Sequence, residues 1–572
     1  MNQAHITVVR AIRREWLLCA IIIVSTLLAW HRVDDCRLWV DEFFSISIAQ
    51  RPIGDIWSMA PHAVGFNINS SPPQYPEGYY FNAFAPLYET ILHFVWDAYA
   101  AQRVLAARAV SVLFHAVSLG LLFYIGRLLF DRGSAACAVF LAGINYAYLY
   151  YAKMIRGYTL LNVLTMCSFL LFVLILRQGK PRQKFLAALA AVNTLLLYMS
   201  YFSALLILFQ GLIFLFRAPR RVLSYWKWLL LSFVFFLPWM PHLARDVFME
   251  PAVTRSGAAQ ALDLSAAINI MHTVWQRFSA RFFFNSWLAG AYAVMLLWCF
   301  PRAEKYPDQR QSRQDDRELL WGVLGIVVLI NYLTGRVGDL DRVRYSFAFA
   351  FPIFLITGCV IRNLRRPWGA GLLILFTAFS LIALHQWFGL PAHEFWRSDL
   401  AWVAQEARQF PVRENERVVI EIEHFPLTPA FVYYFMGPQY FHGISYPEYA
   451  GAQTLHAFNQ RLRGKYVFCQ NNVFVFSRHE LASIPLLAKA DWLFLVYTPW
   501  LEGPWKLFAG KGFRELYQDK LERYALDGAL TLVEKKVFPQ AVLEIYRVAP
   551  AARTVAAGNA ATFVVDTGGD SR

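Results

Sequence analysis

Apolar stretches of membrane-spanning length recur through the first 390 residues of this 572-residue chain. A helix needs about 20 mainly apolar residues to cross a bilayer, and about eleven stretches meet or approach that length. They are residues 15–31, 104–126, 134–151, 158–176, 185–199, 201–216, 225–242, 287–300, 319–334, 345–361 and 369–388. The whole chain is 57% hydrophobic and 16% charged. We therefore predict a mainly α membrane helix bundle.

Basic residues in the short loops predict the orientation of this bundle. Loops that stay in the cytoplasm carry an excess of Lys and Arg. With a cytoplasmic N-terminus, every short cytoplasmic loop is basic: Arg127 and Arg132; Arg177, Lys180, Arg182 and Lys184; Arg217, Arg220 and Arg221; Arg302, Lys305, Arg310, Arg313 and Arg317; Arg362, Arg365 and Arg366. The formal net charge of +15 is thus explained by topology, and we expect no nucleic-acid partner.

Two longer parts of the chain lie outside the predicted spans, both on the outer side. The first outer loop, residues 32–103, contains the amphipathic "APLYETILHFVWDAY", which we interpret as an interfacial helix. After residue 390, "RVVIEIEHF", "KYVFCQ", "DWLFLVY" and "QAVLEIYRV" have the pattern of short strands. "RSDLAWVAQEARQF" and "RELYQDKLERYAL" have helical spacing. We predict a membrane domain at 1–390 and a small extracytoplasmic α/β domain at 391–572.

Two short outer loops carry cations where the orientation rule disfavours them. "YYAKMIRGY" contains Lys153 and Arg156, and "TGRVGDLDRVRY" contains Arg336, Arg342 and Arg344. Cations on the outer side suggest an anionic ligand, and the planar fork of Arg binds phosphate through two parallel hydrogen bonds. The alternative is a solvated loop, or pairing with Asp339 and Asp341. We favour the alternative for Arg336, and ligand binding for Arg156 and Arg344, which lie close to Tyr158 and Tyr345.

Two adjacent acids, Asp41 and Glu42, follow the first span on the same side as these cations. Acids near an anion site usually act as a general base or as metal ligands. The alternative is a solvated loop or the end of an interfacial helix. His62 lies on this side and is a weaker ligand candidate. The sequence has no HExxH motif and the seven cysteines show no CxxC spacing, so the metal question stays open.

The order of several motifs resembles the polytopic GT-C glycosyltransferases, of the protein mannosyltransferase and lipid A aminoarabinose transferase type. The motifs are "LWVDE", "APLYETILHF", "AARAVSVLF", "YYAKMIRGYTLL" and "RYSFAFAFPIFL", within residues 10–390. This resemblance implies interfacial helices in the first outer loop. It also implies inverting transfer of a hexosyl or pentosyl group from a polyprenyl-phosphate donor to a lipid, glycan or protein acceptor. The expected location is the outer face of a bacterial inner membrane.

The resemblance also implies roles for single residues. Asp41 matches the first-loop catalytic acid, with Glu42 beside it, and Arg344 and Arg156 match phosphate-contacting arginines. We add Lys153 and Arg342 to the expected donor phosphate site, and Tyr158, Tyr345 and His62 to the expected substrate site. Relatives commonly carry a second-loop acid where this chain has Met154. A divalent metal is therefore less favoured, and the cofactor expectation is either none or a divalent metal.

Two rival functions stay open, and the departure at Met154 supports the first of them. The first is a degenerate GT-C fold that serves in assembly without transferase activity. The second is a transporter of lipid-linked glycans. Transporters of this size often show buried acids, broken helices or internal repeats, and the sequence has few such features.

Reporter fusions test the predicted topology. A reporter joined after Arg182 should be cytoplasmic and one joined after Glu423 should be exported, because the basic loops alternate with the spans. Compartment-specific enzyme reporters measure both positions. A cytoplasmic signal after Glu423 would show that the number of spans, and the site built on it, is wrong.

Overall fold

The computed structural model describes only part of the chain. The described residues are 15–38, 40–49, 53–58, 86–98, 103–178, 182–217, 219, 222–241, 243, 318–330, 343–390, 399–422, 431, 434–435, 468–470, 473–477, 490–497, 518, 530–538 and 541–549. The chain divides into two compact units. The membrane unit is Met1–Asp34, Ala49–Trp57 and Asn82–Gly389, and the sheet unit is Asp35–Ile48, Ser58–Phe81 and Leu390–Arg572.

Helices account for almost all of the described membrane unit. In chain order they are α1 Trp16–Trp30, α2 Val40–Ala49, α3 Ile53–Ser58, α4 Leu87–Ala98, α5 Arg103–Leu129, α6 Arg132–Gly143, α7 Tyr146–Ala152, α8 Tyr158–Arg177, α9 Gln183–Leu197, α10 Ser203–Arg217, α11 Val222–Phe236, α12 Glu318–Ile330, α13 Val343–Ser346, α14 Phe351–Asn363 and α15 Arg366–Gly389. Helix α2 begins in the sheet unit. Each predicted span lies on a described helix, except that 134–151 is divided between α6 and α7 and that 287–300 lies outside the described residues.

Length and hydropathy identify the membrane crossings among the described helices. Five are long and apolar enough to cross a membrane: Trp16–Asp35, Arg103–Leu129, Tyr158–Arg177, Val222–Trp239 and Arg366–Gly389. Helices α6 and α7 pass the same test together, with a bend of 63° between them. Shorter apolar helices are Gln183–Leu197, Ser203–Arg217, Glu318–Ile330 and Phe347–Asn363. The predicted class, a multi-pass helical membrane protein, is confirmed. The predicted first outer loop contains helices α2, α3 and α4.

Side-chain caps set the start of each half of the bent pair. Asp131 accepts hydrogen bonds from the backbone N–H groups of Gly133 at 2.7 Å and Ser134 at 3.1 Å, and so caps α6. Asn145 accepts from the N–H groups of Ala147 and Tyr148 and so caps α7. A second cap in mid-span starts a new helix in a new direction. The bend therefore follows from the local sequence.

Charged contacts show which helix ends meet at each end of α1. Glu15, just before α1, pairs with Arg132 at 3.1 Å and Arg127 at 3.6 Å, both from predicted cytoplasmic loops. The other end of α1 meets Lys153, which follows α7. One end of α1 thus contacts a predicted cytoplasmic loop, and the other end contacts a predicted outer loop.

Three buried amide and hydroxyl groups join α8, α9 and α10 in a closed ring. Ser168 Oγ donates to Asn193 Oδ1 at 2.6 Å, and Asn193 Nδ2 donates to Gln210 Oε1 at 2.9 Å. Gln210 Nε2 donates back to Ser168 Oγ at 2.7 Å. Polar side chains that bond across helices stabilise membrane bundles, because lipid offers them no other partner.

The described sheet unit contains a six-stranded mixed sheet of order β2-β3-β1-β4-β6-β5. Its strands are β1 Val418–Ile422, β2 Phe468–Gln470, β3 Val473–Ser477, β4 Trp492–Tyr497, β5 Leu530–Val537 and β6 Val542–Val548. Strands β3, β1 and β4 are parallel, and the outer strands pair antiparallel. The predicted strands are β1, β2, β4 and β6. The sequence pattern missed β3 and β5.

Helix α16, Asp399–Gln409, matches one predicted helix and leads into the sheet. Phe410, which follows it, contacts the rings of Trp492 at 4.9 Å and Phe494 at 5.6 Å. Glu406 of α16 pairs with Lys536 of β5. The other predicted helix of this domain, "RELYQDKLERYAL", lies outside the described residues apart from Gln518.

A carboxylate just before β1 links the neighbouring strands β4 and β6 to the start of the sheet. Glu416 accepts from Trp492 Nε1 at 2.9 Å and from Arg547 Nη1 at 2.8 Å. The Arg547 guanidinium also lies 4.5 Å from the centre of the Trp492 ring. The pKa of Glu416 is lowered to about 2. The largest cause is the hydrogen bond from the Trp492 indole, and the next is the hydrogen bond from Arg547.

The lowered pKa of Glu416 predicts a pH-dependent contribution to stability. The folded-state pKa lies below the unfolded value, so the contribution is present above about pH 4.5 and is lost as pH falls towards about 2. Glu416→Gln should lower the free energy of unfolding by about 1–3 kcal/mol at pH 7. Denaturant unfolding of both proteins between pH 7 and pH 3 should show the gap shrinking with acid. A gap that does not change with pH contradicts this account.

Candidate functional site

The segment between α7 and α8, residues 153–157, forms a tight turn that we call the basic turn. Backbone N–H groups of Lys153 and Met154 bond to the carbonyls of Tyr150 and Tyr151 at 3.2 and 3.3 Å. Lys153, Met154 and Arg156 are all buried. The alternative of a solvated loop is therefore wrong for this segment.

The ammonium group of Lys153 binds the carbonyl end of the first span, α1. It donates to the carbonyl oxygens of Ala29 at 2.7 Å, Leu28 at 3.4 Å and His31. The last carbonyls of a helix lack partners within the helix and carry partial negative charge, so a cation is favourable there. The structure therefore uses the charge of Lys153 at the end of α1.

The last described span, α15, also contacts Lys153. Lys153 Nζ lies 5.6 Å from the ring centre of Trp387 and 5.8 Å from that of Phe388. Arg32, which has a left-handed φ of 58° just after α1, donates to the carbonyl oxygen of Phe388. We call Leu28–Arg32, Lys153 and Trp387–Phe388 the Lys153 corner. The chain leaves the membrane unit within a few residues of this corner, after Asp34 and after Gly389.

Helix α5 holds the backbone of the basic turn from the other side. Buried Arg108 donates from Nη1 to the carbonyl oxygen of Lys153. Ser111 Oγ donates to the carbonyl oxygen of Met154 at 2.6 Å and lies 3.3 Å from the hydroxyl of Tyr88. Sequence reasoning missed Arg108, although an arginine within an apolar span is a signal of function or of internal pairing.

Arg156 lies in the basic turn just before α8. It is almost fully buried, at 2% exposure, and Gly157 follows it. A Cβ on Gly157 would lie 2.5 Å from Met199 Cε and 3.1 Å from Tyr88 Cβ, so a larger residue here would require the Met199 side chain to move and Tyr88 to shift. Close packing at Gly157 fixes the point where α8 begins, and hence the position of Arg156 and Tyr158 on either side of it.

Arg344 lies in α13, next to the short 3-10 helix Phe347–Phe349. Phe347 packs on Tyr151 at 4.5 Å and on Tyr148 at 4.9 Å, both from α7. Tyr151 in turn contacts Tyr158 at 5.0 Å. These aromatic contacts bring the segment of Arg344 against the helices that flank the basic turn. Arg342, His62 and the side chain of Tyr345 lie outside the described residues.

The two first-loop acids lie in the first turn of α2, within the sheet unit. Glu42 is completely buried, together with Ser45 and Ile46. Glu42 is therefore part of a packed helix face, and the solvated-loop alternative is wrong for it. Asp41 precedes it in the same turn, and the Asp41 side chain lies outside the described part.

A further buried acid, Glu89, lies in the first turn of α4 in the membrane unit. Sequence reasoning missed it, although an acid in an amphipathic helix beside a predicted site is a usable signal. Among the described residues, no group of three or more His, Cys, Asp or Glu is placed to hold a metal ion.

No family model and no curated protein matches this chain significantly. Among solved structures, ArnT from Cupriavidus metallidurans in the apo state is 12% identical, with 94% of this chain and 98% of that chain covered and a TM-score of 0.41. ArnT bound to undecaprenyl phosphate is 11% identical, with 93% and 98% covered and a TM-score of 0.40. An Archaeoglobus fulgidus oligosaccharyltransferase tethered with an acceptor peptide is 11% identical, with 92% and 74% covered and a TM-score of 0.41.

Replacing Lys153 tests its place at the end of α1. Lys153→Met should lower the free energy of unfolding by about 3 kcal/mol or more, because several charge-assisted hydrogen bonds are lost in a buried site. Thermal unfolding in detergent measures the change. Lys227→Met on α11 is the control, since Lys227 is exposed and stacks only on Trp228. Unchanged stability with lost donor binding would instead assign Lys153 to the donor.

Proposed function

We propose that this chain is an integral-membrane glycosyltransferase. It moves a sugar from a polyprenyl-phosphate donor to a lipid, glycan or protein acceptor at the outer face of a bacterial inner membrane. The observation that carries the proposal is the buried basic turn. Cations are costly at a membrane edge where the orientation rule disfavours them, so their retention indicates a use for positive charge.

The arginines act on the leaving group. A lipid phosphate leaves already ionised, so it needs charge stabilisation rather than a proton. Arg156 and Arg344 donate to its oxygens, assisted by Arg342. Lys153 bonds to the end of α1 in the described structure. Its part is therefore to hold the basic turn in place while the neighbouring Arg156 contacts the donor.

Asp41 acts on the acceptor. An acceptor hydroxyl or amine must lose a proton as it attacks the anomeric carbon, and a carboxylate within hydrogen-bond reach accepts that proton. A single attack inverts the anomeric centre. Glu42, buried in the same turn of α2, holds the position of Asp41. Tyr158, Tyr345 and His62 are proposed to line the sugar site.

Met154 favours one alternative function. This buried methionine stands where relatives carry an acid. An assembly protein with a degenerate GT-C fold would bind the donor and not transfer its sugar.

Transfer assays separate these functions. Purified protein is incubated with radiolabelled polyprenyl-phosphate sugars and an envelope extract as the source of acceptors. Transfer of label to an acceptor supports the enzyme. Binding of the labelled donor without transfer supports the degenerate fold, and absence of both contradicts the two functions alike.

Substitution of Arg344 tests the donor site. Arg344→Ala should weaken donor binding by about tenfold or more, because a charge-assisted bond to phosphate is lost. Arg344→Lys should lose less donor affinity than Arg344→Ala, since the point charge of lysine partly replaces the bidentate fork. Arg336→Ala is the control and should have little effect. Equal donor affinity in wild type and Arg344→Ala would remove Arg344 from the site.

Substitution of Asp41 tests the base. Asp41→Asn keeps the shape of the side chain and cannot accept the proton, so turnover should fall by about 10²-fold or more with donor binding nearly intact. Glu42→Gln should lower turnover by less than Asp41→Asn does. Steady-state rates and donor affinities are measured with and without a chelator.

The chelator decides between a base and a metal ligand. If Asp41→Asn loses activity and the wild type keeps its activity in the presence of chelator, Asp41 is supported as the general base. Loss of wild-type activity on chelation points to a metal bound at Asp41. Full activity of Asp41→Asn contradicts both roles.

A further inference from the structure

Three polar side chains on one face of α8 are buried in the membrane unit. Thr159, Asn162 and Thr165 follow one another at three-residue spacing, which places them on neighbouring turns of the same face. All are exposed by 1% or less. Thr159 Oγ1, Asn162 Oδ1 and Thr165 Oγ1 have no hydrogen-bond partner within the described protein.

Tyr148 of α7 adds a fourth group of the same kind. Its side chain is completely buried, and its hydroxyl lies beside the Asn162 side chain without a hydrogen bond of ordinary geometry. Phe347 and Phe354 pack on its ring at 4.9 and 5.0 Å. Polar groups of two helices thus lie close together at Tyr148 and Asn162, with aromatic rings packed on Tyr148.

Neighbouring polar groups on the same elements are satisfied by the protein. Ser168, one turn beyond Thr165, bonds within the ring with Asn193 and Gln210. Thr357 of α14 donates to the carbonyl of Ile353 in its own helix at 2.5 Å. Along α8, the described polar atoms with no protein partner at Thr159, Asn162 and Thr165 therefore lie nearer the basic turn than the satisfied Ser168.

We infer that Tyr148, Thr159, Asn162 and Thr165 bind internal water. Buried polar groups in folded proteins are almost always bonded to protein or to ordered water. The set has three hydroxyls and an amide oxygen, with no cation to attract an anion and no carboxylate to hold a metal. One buried water makes about three hydrogen bonds, so these four groups, spread along α8 and α7, need more than one internal water. This site does not depend on the proposed transferase activity.

Radiolytic labelling tests the inference on the intact protein. X-ray pulses convert bound water to hydroxyl radicals, which oxidise only the side chains in contact with that water. Tyr148 should be oxidised on the millisecond timescale although it is fully buried. Phe172 and Phe214 are the controls, because both are equally buried and they contact each other at 5.1 Å. Oxidation of Tyr148 no greater than that of Phe172 and Phe214 overturns the inference.

A matched pair of substitutions gives a second test with opposite signs. Thr165→Val keeps the branched shape and removes the hydroxyl. If the hydroxyl binds water, Tm should fall by about 2 °C or more. If the Thr165 hydroxyl is buried without any partner, valine removes the cost of burying it, and Tm should rise. Thr357→Val, whose hydroxyl bonds within its own helix, corrects for the change of residue type. An unchanged or higher Tm for Thr165→Val, relative to that control, contradicts bound water.

Discussion

The membrane unit depends on one buried cation, the ammonium of Lys153 at the carbonyl end of the first span. Its hydrogen bonds to Ala29 and His31 join the start of the first outer loop to the basic turn. Its contacts with Trp387 and Phe388 add the end of the last described span. A buried charge without partners would be very unfavourable, so these contacts must form together.

Burial of several cations near one turn has a consistent physical explanation. Lys153 and Arg108 donate to backbone carbonyls, so much of their charge serves the structure itself. Arg156 shares the turn that they stabilise, and Arg344 belongs to a segment that packs on α7 through Phe347. The proposed division of labour follows from this arrangement. In this proposal, two cations fix the turn and two arginines hold the donor phosphate.

Sequence reasoning predicted the features that repeat along the chain. The apolar periodicity located the helices of the membrane unit, and alternation located β1, β2, β4 and β6. It could not predict that Lys153 caps α1, because the partners lie 122 to 125 residues away in sequence. It also missed the burial of Glu42, since adjacent acids in a short motif look alike whether they are packed or solvated. Strand β5 was missed because its residues alternate between exposed and half-buried positions, and many of them are charged.

The most direct measurement of the central claim is the lipid preference of the full-length protein. Affinities for undecaprenyl phosphate and for undecaprenol are compared in wild type and in Arg156→Ala, with thermal unfolding as the check on folding. If the basic turn supports a phosphate site, the wild type binds the phosphate at least about tenfold more tightly than the alcohol, and Arg156→Ala loses that preference while it stays folded. Equal affinity of the wild type for both lipids would contradict the account.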